Sequence, residues 1–121
     1  MASPDRILVL RHRAGGDLLL TTPALHALRE GIPGARIDVL AATGMSALLE
    51  GNSDVDRVLT LDRRSLGSQA LLYARLARGG YSRVLDLVSN PRSAFLTALT
   101  RAPVRAGFDI PGRAWAYTLR V

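Results

Sequence analysis

Asp17 is the residue whose setting most suggests chemistry. It closes the run Arg11-His12-Arg13-Ala14-Gly15-Gly16-Asp17. Gly15 and Gly16 permit positive φ and leave room for a substrate against the backbone. A carboxylate in that place can take the proton of a hydroxyl as it attacks an electrophilic carbon. It can equally cap the helix that follows, and the two roles are compatible. Arg11 and Arg13 flank the loop, where they can orient an anionic acceptor. Further along, Arg63-Arg64 can pair with phosphate or carboxylate groups, or be no more than a solvated charge pair. Ser89-Asn90-Pro91-Arg92-Ser93 leads into a helix whose free N–H groups suit an anion. Arg92 adds a guanidinium there, while Asn90 can serve simply as the cap. Asp86 lies among apolar neighbours, so its carboxylate requires a partner, either an arginine or a backbone amide.

Other chemistries are excluded or weak. The chain lacks cysteine, which removes disulfide scaffolds, cysteine-ligated metals and cysteine nucleophiles. That absence fits a reducing cytoplasm. His12 and His26 are too few for a zinc site without carboxylate help, so no metal is expected. His12 reads as an exposed loop residue and His26 as a surface or boundary residue. Trp115 and Tyr117 are expected to pack the last segment onto the domain, with a lipid-interface role as the alternative.

The elements that must hold these residues follow from the apolar pattern. Ile7-Leu8-Val9-Leu10 is the short continuous run of a strand buried on both faces. Helical spacing follows, started either by Thr22 with Pro23 or earlier by Asp17 with Pro23 bending the helix. Gly31 and Pro33-Gly34 end it. Ile37–Ala41 reads as a second strand and Gly44–Glu50 as a short helix. Val55–Leu61 holds a third strand. A helix from about Ser65 to Arg78 carries Leu66, Ala70, Ala74 and Ala77 on one face, and Gly79-Gly80 stops it. Val84–Val88 is a fourth strand, followed by a helix from Pro91 to about Arg101. Val104–Phe108 is a fifth, and Pro111–Val121 reads as the start of another helix.

Strands alternating with helices imply a parallel sheet covered on both faces, a Rossmann-like doubly wound α/β domain. The 121 residues suit a single domain spanning 1–121. Ligands of such folds bind outside the carboxyl ends of the strands, where the loops after Leu10, Ala41, Leu61 and Val88 lie. The first loop is not G-x-G-x-x-G, Ala41-Ala42 offers no acid for a ribose, and no G-K-[ST] follows the glycines. A dinucleotide fingerprint and a P-loop are therefore both absent. A receiver domain would need an acidic pocket where this chain has arginines.

All sixteen basic residues are arginine, against ten acids, for a net charge of +6. That balance favours anionic partners. A non-catalytic module binding nucleic acid or other polyanions is the alternative suggested by charge alone. The arginines, however, are spread over every element, and aromatics are only 5%, too few for stacking platforms; nucleic acid is not the expected partner. No apolar run is long enough to span a bilayer, and Ile7–Leu10 is too short for a signal-peptide core.

The stretch ILVLRHRAGGDLLLTTPALHAL resembles the opening of the heptosyltransferases of lipopolysaccharide core synthesis, glycosyltransferase family 9. The likeness continues through IPGARIDVLA, LLEGNSDVDRVLTLDR, YSRVLDLVSNPRSAFLT and RAPVRAGFDIPGRAWAYTLRV. G-D-x-L-x-T-x-P-A-L is its most specific part. The resemblance implies an inverting GT-B glycosyltransferase without an essential metal or other cofactor. Such an enzyme has two Rossmann-like domains with the active site between them. This chain corresponds to the N-terminal, acceptor-side domain; the C-terminal nucleotide-sugar domain has no counterpart in it. By the same resemblance Asp17 is the catalytic base. Arg11, Arg13, Gly15, Gly16, Arg63, Arg64, Asn90 and Arg92 are acceptor-binding candidates, with Arg63-Arg64 suited to Kdo and phosphate groups. The implied donor is ADP-heptose or a related nucleotide sugar, and the acceptor a lipid-linked Kdo or heptose. The expected setting is the cytoplasmic face of the inner membrane, in peripheral contact with it.

Overall fold

A computed structural model describes residues 5–11, 16–42, 53–61, 65–88, 91–108, 110–112 and 114–120. In chain order its elements begin with β1 (Arg6–Arg11), α1 (Gly16–Gly31), β2 (Arg36–Ala42) and β3 (Arg57–Leu61). There follow α2 (Leu66–Arg78), β4 (Arg83–Asp86), α3 (Pro91–Leu99) and β5 (Val104–Gly107). A single 3₁₀ turn, Ala114–Ala116, precedes β6 (Leu119–Arg120). The expected helix at 44–50 falls outside the described residues.

The strands form one sheet in the order β3-β2-β1-β4-β5-β6, and every pairing is parallel. This is a Rossmann-like α/β sheet. The chain builds outward from β1 in one direction and then from β4 in the other, so the topological switch point lies between β1 and β4.

The apolar run of β1 is continuous because both faces of the sheet are covered. Ile7 and Val9 pack with Leu25 of α1 and with Ile37 and Val39 of β2. Leu8 and Leu10 point the other way, into a core with Leu72 and Leu76 of α2 and Leu96 of α3. Alternation along a strand thus assigns α1 to one face and α2 and α3 to the other.

The helices decide one alternative the sequence reading left open, agree with it at Ser65 and depart from it at two points, the place of Asp17 and the buried face of α2. α1 starts at Gly16 and carries Pro23 inside it, so the earlier start is the correct one. Asp17 is then the second residue of the helix rather than its N-cap. α2 is capped by Ser65, whose hydroxyl accepts from the Ser68 amide at 3.1 Å. Its buried face is Leu72 and Leu76, not the one running through Leu66, which is 83% exposed. Counting from Leu66 fails because that residue lies in the first turn, beyond the reach of the neighbouring layer.

The chain after Pro111 makes a sixth strand instead of a helix. Thr118 exchanges hydrogen bonds with Arg105, its amide donating to the Arg105 carbonyl at 2.8 Å and its hydroxyl accepting from the Arg105 amide at 2.7 Å. The Arg105 side chain donates to the carbonyls of Ala116 and Ala102 at 2.8 and 2.7 Å. Pairing with β5 satisfies the backbone of a segment too short to be a stable helix by itself.

At the amino ends of the strands Arg29 of α1 pairs with Asp56 at 2.6 Å, and the same carboxylate oxygen accepts from the Ile37 amide at 2.7 Å. One carboxylate therefore joins α1, β2 and the approach to β3. Burial pushes the Asp56 carboxyl up, but the Ile37 amide and Arg29 outweigh it and hold its pKa below the ordinary value.

Candidate functional site

The candidate site lies at the carboxyl ends of β1 and β4, on either side of the switch point. Leu10 and Asp86 are register partners there. Arg11 is the last residue of β1 and Gly16 and Asp17 open α1. Arg92 is the second residue of α3. The fold thus gathers at one sheet end residues drawn from positions 11, 16–17, 86 and 92. The first turns of α1 and α3 bring free backbone N–H groups to the same end.

Arg11 is half-buried, and its Nη1 donates to the Leu87 carbonyl at 2.8 Å. It therefore ties the end of β1 to the chain just past β4. Arg92 is also partly buried, and its Nη1, shielded from solvent, has no hydrogen-bond partner among the described residues. A shielded guanidinium N–H without an acceptor is costly, and an anionic group arriving beside it would supply one. Arg13, Gly15, Arg63, Arg64 and Asn90 lie outside the described residues, as does His12.

Asp86 is 1% exposed. Its Oδ2 accepts from the Tyr117 hydroxyl at 2.6 Å and its Oδ1 from the Val88 amide at 3.0 Å. Of the two partners the sequence left open for this carboxylate, a backbone amide is one it has; it also takes a phenol 31 residues away, which the sequence did not suggest. Only the signal of an acid in an apolar strand was available, and it specifies the need for a donor without identifying it. Tyr117 packs with Ala94 and Ala116, and its ring covers Gly107, where a Cβ would overlap it. Trp115 departs from expectation: it is 61% exposed, and its Nε1 donates to the Gly112 carbonyl at 3.1 Å.

His26 stands apart from this site. It is exposed on α1, with Nε2 2.9 Å from Glu30 and Nδ1 3.1 Å from Asp54. The hydrogen bond and charge of Asp54, followed by the charge of Glu30, raise its pKa above the ordinary value. This is a surface helix contact.

The chain is similar to known glycosyltransferases in sequence and in fold. It is 27% identical over 111 residues to lipopolysaccharide heptosyltransferase 3 of Escherichia coli, covering 87% of this chain and 33% of that protein. A glycosyl transferase of family 9 from Veillonella parvula superposes on all of this chain with a TM-score of 0.85 and 23% identity, over 37% of its own length. The Escherichia coli heptosyltransferase WaaC, solved with ADP-2-deoxy-2-fluoro heptose, gives a TM-score of 0.78 and 25% identity, covering 96% of this chain and 42% of that one. No family model matches the chain. The class defined by fold and comparison is a Rossmann-like domain of the kind found in glycosyltransferases of family 9. Within that class the resemblance is to the lipopolysaccharide heptosyltransferases, of which this chain spans about a third of the length.

Proposed function

We propose that this chain is the acceptor-side domain of an inverting GT-B heptosyltransferase acting on the lipopolysaccharide inner core. The observation that carries the reading is the position of Asp17, in the first turn of a helix that opens at the β1–β4 switch point. The similarity to a heptosyltransferase solved with an ADP-heptose analogue supports ADP-heptose, or a related nucleotide sugar, as the donor. In the proposed reaction the Asp17 carboxylate takes the proton of an acceptor hydroxyl. The oxygen bonds to the anomeric carbon from the face opposite the nucleotide, and the bond to the diphosphate breaks, releasing ADP and inverting the configuration. Arg92 and Arg11, with Arg13, Arg63, Arg64 and Asn90 from the adjoining loops, serve the anionic groups of the acceptor, and Gly15 and Gly16 admit it to the backbone.

In this reading a second domain holds the donor's diphosphate, which is supported by relatives of which this chain spans only 33–42%. That accounts for both an acceptor site in this chain and the lack of a nucleotide fingerprint. No described helix is long and apolar enough to cross a membrane. In this reading, work on a lipid-linked acceptor takes place in peripheral contact with the cytoplasmic face of the inner membrane, a setting supported by the likeness to a lipopolysaccharide heptosyltransferase.

The test is an NMR titration of the chain with a soluble Kdo-containing acceptor fragment, beside one with random DNA at the same ionic strength. Saturable shifts at the amides of Arg11, Asp17 and Arg92 are expected with the acceptor. Loss of a charge-assisted contact in Arg92→Ala should weaken binding by about 1.5–3 kcal/mol. Tight, steeply salt-dependent binding of DNA with no response to the acceptor would overturn the reading and favour a polyanion-binding module.

A further inference from the structure

We propose that a second anion site, for a phosphate-bearing ligand, lies at the amino ends of β1, β2 and β3, the opposite end of the sheet from Asp17. A cavity of about 340 Å³ opens there between the sheet and the end of α2. Five arginines line it: Arg6, Arg36, Arg57, Arg75 and Arg78. The first three are the opening residues of β1, β2 and β3, and the last two stand in the final turn of α2. Among the described lining residues the only carboxylate is Asp38.

That carboxylate is already engaged. Asp38 is 3% exposed, its Oδ2 accepts from the Tyr81 hydroxyl at 2.7 Å, and its Oδ1 lies 3.5 Å from Nε of Arg36. Burial, then the hydrogen bond to Asp38, pushes the Tyr81 phenol well above its usual pKa, so Tyr81 stays a neutral donor. Arg6 is partly engaged as well, with Nη1 donating to the Gly79 carbonyl at 2.8 Å. Among the described residues, the guanidinium groups of Arg57, Arg75 and Arg78 take part in no hydrogen bond or ion pair.

This is more positive charge than the fold needs. Arginine in the last turn of a helix complements its dipole, which gives Arg75 and Arg78 a local reason to be there. It gives none for Arg57, or for Arg6 and Arg36, which are direct register partners in adjacent strands. Like charges placed side by side in a sheet are unfavourable. A planar fork on several sides of one concavity is the arrangement that binds phosphate oxygens in pairs. The ligand chemistry is therefore a phosphate or diphosphate group. Leu71, 64% exposed, also lines the cavity, so the group can belong to a soluble phosphate ester or to a lipid headgroup.

The experiment titrates the whole chain with inorganic pyrophosphate by calorimetry. It then measures co-sedimentation with phosphatidylcholine vesicles made with and without phosphatidylglycerol. Arg57→Gln and Arg75→Gln are compared with Arg83→Gln, an exposed arginine outside the cavity. Saturable pyrophosphate binding, weakened at least about tenfold in the first two variants and unchanged in the third, is expected. Thermal stability in phosphate-free buffer should not fall in any of them. Sedimentation that requires phosphatidylglycerol and is lost in the same two variants assigns the phosphate to a lipid. Pyrophosphate binding without sedimentation assigns it to a soluble ligand. Binding of neither probe, or equal loss in Arg83→Gln, overturns the proposal.

Discussion

The effect proposed for Asp17 and the one the packing gives Gly107 each rest on single atoms. In the heptosyltransferase proposed to carry this domain, Asp17→Asn keeps the size of the side chain and removes its basicity. Turnover should drop by about 10²–10⁴, while the melting temperature of the domain stays near that of the parent; near-parental turnover would remove Asp17 from the mechanism. Gly107 is glycine because the Tyr117 ring lies against its Cα. Gly107→Ala must displace that ring and stretch its hydrogen bond to Asp86. Overpacking of this kind costs about 1–3 kcal/mol, readable as a lower urea midpoint with an unchanged slope. An alanine variant as stable as the parent would mean that the end of β5 and Tyr117 are free to separate.

Two elements depend on contacts at their ends. α2 has no acidic residue in its first turn, which leaves the Ser65 hydroxyl as the side-chain cap of its amides. Ser65→Ala should cost about 1 kcal/mol, measured by chemical unfolding; no loss would show that water caps the helix equally well. The joint between α1 and β2 depends on ionised Asp56. Its pKa is lowered in the folded state from the ordinary 3.8, so its contribution is full above that value and is lost as pH falls through the lower folded value. Asp56→Asn should therefore be less stable than the parent at neutral pH, with the gap narrowing as pH falls below 3.8 and through the lower folded value. A gap independent of pH would mean that the side chain acts through packing, not charge.

The whole molecule presents apolar surface at one edge of its sheet. Leu119 of β6 is 55% exposed, and Phe108 and Trp115 nearby are 43% and 61% exposed. An edge strand beside exposed apolar side chains is a template for association. The chain by itself should self-associate in sedimentation velocity runs, and a Trp115→Gln, Leu119→Gln variant should do so less; a monomer at every concentration would show that the edge is inert. Incubated with ADP-heptose and a Kdo-lipid acceptor, the chain should yield no product. The groups that hold a donor's diphosphate and stabilise its departure usually supply the largest catalytic effect, and they are proposed to reside in a second domain. Product at an enzymatic rate would show that one domain is sufficient.

The amino-acid sequence by itself determined the parallel doubly wound class. The continuous run Ile7–Leu10 demands cover on both faces, and Gly31, Gly79 and Gly80 punctuate the helices where the chain must turn. It also placed Arg11, Gly16, Asp17 and Arg92 at one end of the sheet, because strand–loop–helix order fixes which loops share an end. Other features are decided by contacts between residues distant in sequence. Leu72 and Leu76, and not Leu66, face the core because the neighbouring layer begins only at the second turn of α2. The last segment became β6 because β5 offered an unpaired edge, which local periodicity does not register. Tyr117 meets Asp86 and Tyr81 meets Asp38 across 31 and 43 residues, each a buried acid whose donor only folding could choose. The arginines at positions 6, 36, 57, 75 and 78 read as dispersed charge along the chain, and they converge on one cavity because parallel strands start at the same end of a sheet.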